Sequence, residues 1–379
     1  MKIVYVVGGL LAPNGMSSVL SAKINYLAEH TDYELYMILT EKAGQEWYYH
    51  INPKVQWVNF DINFDELDTM PFYKKFFYYK LKLRKYKKLF TQYLMQLRPD
   101  ITISTVRREI NFINDIPDGS KKIGEIHFNR TNYREFKKRW LPGFVNRFVT
   151  RQWVRSLIKQ LKRLERFVVL SEEDYHNWPE LNNKMVIPNS LSYFPDFQST
   201  CENKSVIAVG RYTRQKGFDL LLKAWQHVYA KHPDWHLNIY GSGDKQIYER
   251  LSEKLGISPV VHCHSAVSNI YEKYRESSIF AFSSRYEGFG LVLAEAMSVG
   301  VPAVSFACPC GPSDIIQNGE DGILVEKGNI QQFADGLCKL IGNSAMRIEF
   351  GKRAMKNVRR FSQDEIMEKW IALFREYCI

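Results

Sequence analysis

Ser283-Ser284-Arg285-Tyr286-Glu287-Gly288-Phe289-Gly290-Leu291-Val292-Leu293-Ala294-Glu295-Ala296-Met297 reads as a strand end, a loop and the start of a helix. Ile279 to Phe282 before it is a short apolar run of buried-strand type, and the small and aliphatic residues from Leu291 to Val299 suit a helix packed on a sheet. Gly288 and Gly290 mark the turn. The first helical N–H groups there, Gly290 to Leu293, have no intrahelical partner and point beyond the strand end, which makes the turn an anion site. Glu287 stands at its lip and Glu295 about one turn into the helix. Two carboxylates beside an anion site suit a ligand that carries hydroxyls as well as phosphate. The plainer reading, two unrelated surface charges, is weakened by the glycines and the apolar run between them.

Working outward, the 379 residues suffice for two domains, each with its own core, and 45% hydrophobic and 14% aromatic content excludes a disordered chain. The six cysteines, Cys201, Cys263, Cys308, Cys310, Cys338 and Cys378, follow no repeated spacing and read as reduced thiols of a cytosolic protein. Cys308-Pro309-Cys310 and His262-Cys263-His264 lack the second ligand pair a tetrahedral zinc site requires, so no metal site is expected. No run reaches transmembrane length, and Ile3 to Leu11 is a first strand, not a signal peptide.

Lys2 to Gly9 is a buried strand ending in glycines, followed by a helix from Met16 to His30, the opening of a doubly wound sheet. Further strands are expected over Glu34 to Leu39, Val55 to Phe60, Asp100 to Ser104, Lys122 to His127 and Phe167 to Ser171, after which Met185 to Ser190 leads into Tyr193 to Asp196. A lone histidine after an apolar run is usually a core or loop residue, yet a strand's carboxyl end turns His127 toward a cleft. Pro188 and Pro195 flank a linker over 189–198, which divides the chain into domains 1–188 and 199–362. The second domain opens with Ser205 to Gly210, then Arg211 and Lys216 on a loop, and a helix from Phe218 to Tyr229. Trp235 to Tyr240 ends in Gly241-Ser242-Gly243, whose backbone can approach a ligand closely. Val301 to Phe306 is a strand, Ser313 the expected N-cap of the helix after it, and Gln363 to Tyr377 a last helix expected to bury the stripe Ile366, Trp370, Phe374 and Tyr377.

The net charge of +11 is unevenly placed. Met70 to Arg166 holds 25 Lys and Arg against 7 Asp and Glu, so +18, which leaves −7 for the remainder. Aromatic and basic residues interleave over Phe72 to Phe90 and again over Arg134 to Arg166. Three readings compete: an anionic membrane surface, nucleic acid, or a solvated helix face. No nucleic-acid motif accompanies the charge.

Gly210-Arg211-x4-Lys216-Gly217, Gly241-Ser242-Gly243, Glu287-Gly288-Phe289-Gly290 with Glu295, and Gly311-Pro312-Ser313-Asp314 stand in the order and spacing that resemble retaining glycosyltransferase family 4. The likeness runs through the second half; in the first it rests on the Gly15 loop, His127 and Ile187-Pro188-Asn189. It implies a GT-B fold, two Rossmann-like domains of doubly wound parallel sheet facing across a cleft, with helix 363–379 packing back on the first. Position by position it implies that Arg211 and Lys216 bind the donor diphosphate, Glu295 the ribose and Glu287 the sugar hydroxyls. The backbone at Gly288, Phe289, Gly290 and Leu291 would meet phosphate and sugar, with Gly241 and Gly243 beside the donor. His127 would lie near the transferred sugar, and Gly15 would let the first-domain loop reach the phosphates, although Asn14 replaces a second glycine there. The implied activity is metal-independent transfer of a hexose or N-acetylhexosamine with retention, by front-face attack, and Glu287 is not assigned as a covalent nucleophile. The donor is a substrate, so no cofactor is expected. UDP is the nucleotide the likeness favours, with GDP behind it. The acceptor would be a glycan or lipid-linked sugar in cell-surface polysaccharide synthesis, with the enzyme cytoplasmic and peripheral at the inner face of the cytoplasmic membrane. A nucleotide-sugar epimerase of related fold and a non-catalytic sugar-nucleotide-binding subunit are the alternatives.

Overall fold

A strand covered on both faces shows no polar side, so the unbroken apolar runs of this chain become the strands of two parallel sheets. The computed structural model describes residues 1–10, 15–130 and 143–377. The chain forms two units: Met1–Leu170, Asp174–Ile187 and Asp364–Ile379 make the first, and Ser171–Glu173 with Pro188–Gln363 the second.

In the first unit the strands are β1 (Lys2–Val7), β2 (Glu34–Leu39), β3 (Gln56–Asn59), β4 (Ile101–Ser104), β5 (Lys121–Glu125), β6 (Arg166–Val169) and β7 (Lys184–Val186). They stand in the order β3-β2-β1-β4-β5-β6-β7, every pair parallel. The order reverses between β1 and β4, the place where ligands collect in doubly wound sheets. Gly8 follows β1 there, and a Cβ on it would lie 2.4 Å from the guanidinium of Arg107. The helix Gln363–Arg375 belongs to this unit and buries Ile366, Met367, Trp370, Leu373 and Phe374.

The second unit contains β8 (Ser205–Val209), β9 (His236–Gly241), β10 (Val261–Ser265), β11 (Ile279–Phe282), β12 (Ala303–Phe306) and β13 (Gly322–Val325), in the order β10-β9-β8-β11-β12-β13, again all parallel. Its reversal falls between β8 and β11. Trp225, Phe306 and Phe333 sit in the core that fills this unit.

Two local expectations are corrected. β5 ends at Glu125, so His127 lies two residues past the strand. Ser313 is not an N-cap: Gly311 caps the short helix Pro312–Ile315 without a side-chain hydrogen bond, and Pro312, which has no N–H to satisfy, takes its first position.

Among the basic stretches, the helix Phe72–Leu97 carries two surfaces. Tyr86, Phe90 and Leu94, four residues apart, are buried, while Phe76, Phe77 and Leu81 nearer its start are exposed. Lys82 is structural, donating to the carbonyls of Ile62 and Asn63 and pairing with Glu66 at 2.8 Å. The helix Gly143–Leu161 exposes Phe144, Phe148 and Trp153 beside Arg147, Arg151 and Arg155. Part of the Arg134 to Arg166 stretch, residues 134–142, lies outside the described residues. No helix among the described residues is long and apolar enough to cross a membrane.

Candidate functional site

The loops that leave β8, β9, β11 and β12 converge at the β8–β11 reversal because their backbones touch. After β8 the chain turns through Arg214–Lys216 into Gly217, whose φ of 66° begins the helix Phe218–Lys231. A Cβ on Gly217 would lie 2.0 Å from the Ser283 carbonyl oxygen. Ser283 Oγ donates to the Lys216 carbonyl at 2.9 Å, Gln215 Nε2 to the Tyr286 carbonyl at 3.0 Å, and the Arg285 N–H to the Gln215 carbonyl at 2.8 Å. Arg285 adds a two-pronged pair with Asp219, both contacts 2.7 Å, which fixes the loop after β11 to the helix after β8. That pair holds the Asp219 carboxyl below its ordinary range.

Within this frame Lys216 Nζ pairs with Glu287 Oε1 at 2.8 Å, both side chains largely buried. The residues that sequence reasoning assigns to diphosphate and sugar are therefore each other's partners. The stem of Lys216 lies under Gly210, where a Cβ would sit 2.9 Å from its Cδ. Arg211, exposed at the start of the same loop, has no ion pair among the described residues. Gly241 is required for another reason than ligand approach: a Cβ there would lie 1.8 Å from the Gly210 carbonyl oxygen. Gly243, at φ 108°, bridges to Tyr212, whose hydroxyl donates to the carbonyls of Ile239 and His264 at 2.8 Å each.

Gly290, at φ 100°, caps the helix Leu291–Ser298. Its carbonyl already accepts from Leu293 N–H at 2.9 Å, so the expected donor set loses one member: the Gly290, Leu291 and Val292 N–H groups make no hydrogen bond among the described residues. The Glu287 N–H donates to the Pro309 carbonyl, and Gly311 packs so close that a Cβ would lie 1.7 Å from the Phe289 carbonyl oxygen. Glu295, partly buried on the helix, accepts from the Tyr274 hydroxyl at 3.2 Å. Burial raises its pKa, against the Tyr274 hydrogen bond and the charge of Lys216. Among the described residues no cluster of three or more His, Cys, Asp and Glu is arranged to hold a metal ion.

In the first unit, Gly15 opens the helix Gly15–His30 and is exposed; the loop before it, residues 11–14, lies outside the described residues. His127 is buried, its Nε2 3.4 Å from Glu125 Oε1. Glu125 also pairs with Lys23, a contact that sequence reasoning missed. A signal existed: Lys23 stands four residues after Val19 and four before Leu27, on a buried helical stripe.

Residues 193–357 match the family described as glycosyl transferases group 1. An uncharacterized glycosyltransferase of Haemophilus influenzae is 33% identical over 230 residues, which cover 59% of this chain and 65% of that protein. The amylovoran biosynthesis glycosyltransferase AmsD of Erwinia amylovora is 35% identical over 184 residues, 48% of this chain and 51% of that one. The chain thus spans about half to two thirds of the length of these relatives. Among solved structures, a TarM variant of S. aureus in complex with Fondaparinux, alpha-GlcNAc-glycerol and UDP superposes with a TM-score of 0.76 at 17% identity, covering 98% of this chain and 99% of that one.

Proposed function

From a group 1 glycosyltransferase domain at residues 193–357 and a GT-B fold, we propose that this chain transfers a hexose or N-acetylhexosamine from a nucleotide sugar, UDP-linked in the first instance, to a glycan or lipid-linked acceptor in cell-surface polysaccharide synthesis, with retention of anomeric configuration. The observation that carries this reading is the Lys216–Glu287 pair beside the unused Leu291 and Val292 amides at the β8–β11 reversal.

Breaking the anomeric bond leaves a nucleoside diphosphate, and preorganised positive groups aimed at that charge lower the barrier most. Arg211 makes no ion pair among the described residues, and Lys216 is held there by a single carboxylate. On donor binding Lys216 exchanges Glu287 for the diphosphate, and Glu287 is released to accept from sugar hydroxyls. The two amides receive phosphate oxygens at the helix N-terminus. Glu295 takes the ribose hydroxyls. With no Asp-x-Asp in the chain, the cationic role goes to Arg211 and Lys216 and not to a metal ion. The acceptor attacks on the face the leaving diphosphate departs from, and a phosphate oxygen of the donor takes the acceptor proton.

Calorimetric titration of the protein with UDP, GDP, ADP and UDP-sugars, repeated with Arg211→Ala and Lys216→Ala, tests this. UDP affinity lowered about 10- to 100-fold in both variants supports it; no binding to any nucleotide rejects it.

A further inference from the structure

We propose that Lys23 and Glu125 form a buried positioning pair that sets the tautomer and orientation of His127, held in place by Trp370 of the last helix; this rests on the glycosyl-transfer reading, in which His127 works beside the transferred sugar. Lys23 is 2% exposed and Glu125 1%. Their ion pair lies in the first unit, with Lys23 Nζ 3.7 Å from the centre of the Trp370 ring and 6.0 Å from that of Tyr5. Ion pairs this deep are poor sources of stability, since apolar replacements of similar volume are often neutral or stabilising. Another role for the pair is therefore sought in what it touches.

What it touches is His127. Glu125 Oε1 serves both Lys23 and, at 3.4 Å, the Nε2 of His127. Among the described residues, both ring nitrogens of His127 and the second oxygen of Glu125 are buried without a hydrogen-bond partner. Each such orphan costs about 1–3 kcal/mol, so three in one place mark a spot where polar groups of a ligand are received. An ionised carboxylate only accepts, so the ring nitrogen that faces it carries the proton and Nδ1 becomes the acceptor. The 3.4 Å separation is long for a hydrogen bond, and such contacts commonly tighten when substrate binds. The charged groups that act on His127 are Glu125, Lys23 and Arg107. Burial above all, with Lys23 and Arg107 adding to it against Glu125, lowers the His127 pKa to about 4, so the ring is neutral near pH 7.

The test uses the full chain with Glu125→Gln, Lys23→Met and the double variant. Three quantities are read: UDP affinity by calorimetry, UDP release from UDP-N-acetylglucosamine and UDP-glucose, and the ring 15N shifts of His127, assigned with His127→Asn. In Glu125→Gln the ring shifts move away from the Nε2–H tautomer, and turnover falls by about 100-fold while UDP affinity stays within about twofold, the signature of a misplaced group. The double variant, which has no unpaired buried charge, recovers the wild-type melting temperature and does not recover turnover. Wild-type turnover in the double variant, or ring shifts unmoved in Glu125→Gln, overturns the proposal and leaves the pair a packing feature. Absence of UDP binding and release in the wild-type protein removes the glycosyl-transfer reading separately, and the ring shifts then decide whether the pair sets the tautomer.

Discussion

At the scale of single residues, the second-unit site is a set of charges waiting on one another. Lys216→Ala deletes a cation and takes from the buried Glu287 carboxylate its partner at 2.8 Å. UDP affinity is expected to fall about 10- to 100-fold, the worth of one charge-assisted hydrogen bond. Titration calorimetry reads it, and a lowered melting temperature should accompany it. Arg211→Ala, whose side chain is exposed and unengaged, should lose similar affinity with the melting temperature unchanged. His127 makes a different prediction. Its folded pKa of about 4 lies below the ordinary 6.5, so between those values the unfolded chain binds more protons. The stability from burying a neutral ring is complete above pH 6.5 and is lost as pH falls toward 4, by on the order of 3 kcal/mol. Urea unfolding at pH 7.5 and pH 5 measures the loss, and His127→Asn should flatten it.

At the scale of elements, glycines set how closely the loops approach. Gly311→Ala places a Cβ against the Phe289 carbonyl at a φ of 123°, and it should cost at least about 1–3 kcal/mol and displace the Glu287 to Gly290 loop. Gly328→Ala, also at positive φ but in open space, should show the backbone strain alone, about 1–2 kcal/mol. Chemical denaturation of the two separates clash from backbone strain. The helix Phe72–Leu97 makes a surface prediction. The anionic-membrane reading of this stretch predicts that its exposed Phe76, Phe77 and Leu81 meet lipid together with Lys74, Lys80 and Lys85, each basic residue contributing about 1 kcal/mol on anionic lipid. Replacing those three lysines by Glu should abolish co-sedimentation with phosphatidylglycerol vesicles and leave UDP affinity intact. Unchanged sedimentation would show the basic stretch to be a solvated face.

At the scale of the whole molecule, the chain leaves its first unit near Ile187 and returns to it at Asp364. Trp370 brings its ring onto Lys23 and is itself 1% exposed, so Trp370→Ala should destabilise the first unit by about 3–5 kcal/mol. Differential scanning calorimetry should then show one transition lowered and the UDP-stabilised one unmoved. Much of this architecture was legible beforehand. The apolar runs of β1, β8 and β11, the glycine turns after them and the stripe Ile366, Trp370 and Phe374 are local patterns, and hydrophobic period and turn chemistry act over a few residues. The candidate residues Arg211, Lys216, Glu287 and Glu295 were marked by their places at strand ends, and their roles were implied by the family likeness. Sequence alone thus determined which segments are strand, turn and helix, and that charged side chains gather at strand ends. Only the tertiary structure decided how those charges pair: Lys216 with Glu287, Arg285 with Asp219, and Lys23 with Glu125 across 102 positions of chain. Such partners are chosen by strand order and the close packing of loops, and a low-dielectric interior then makes each choice costly to undo.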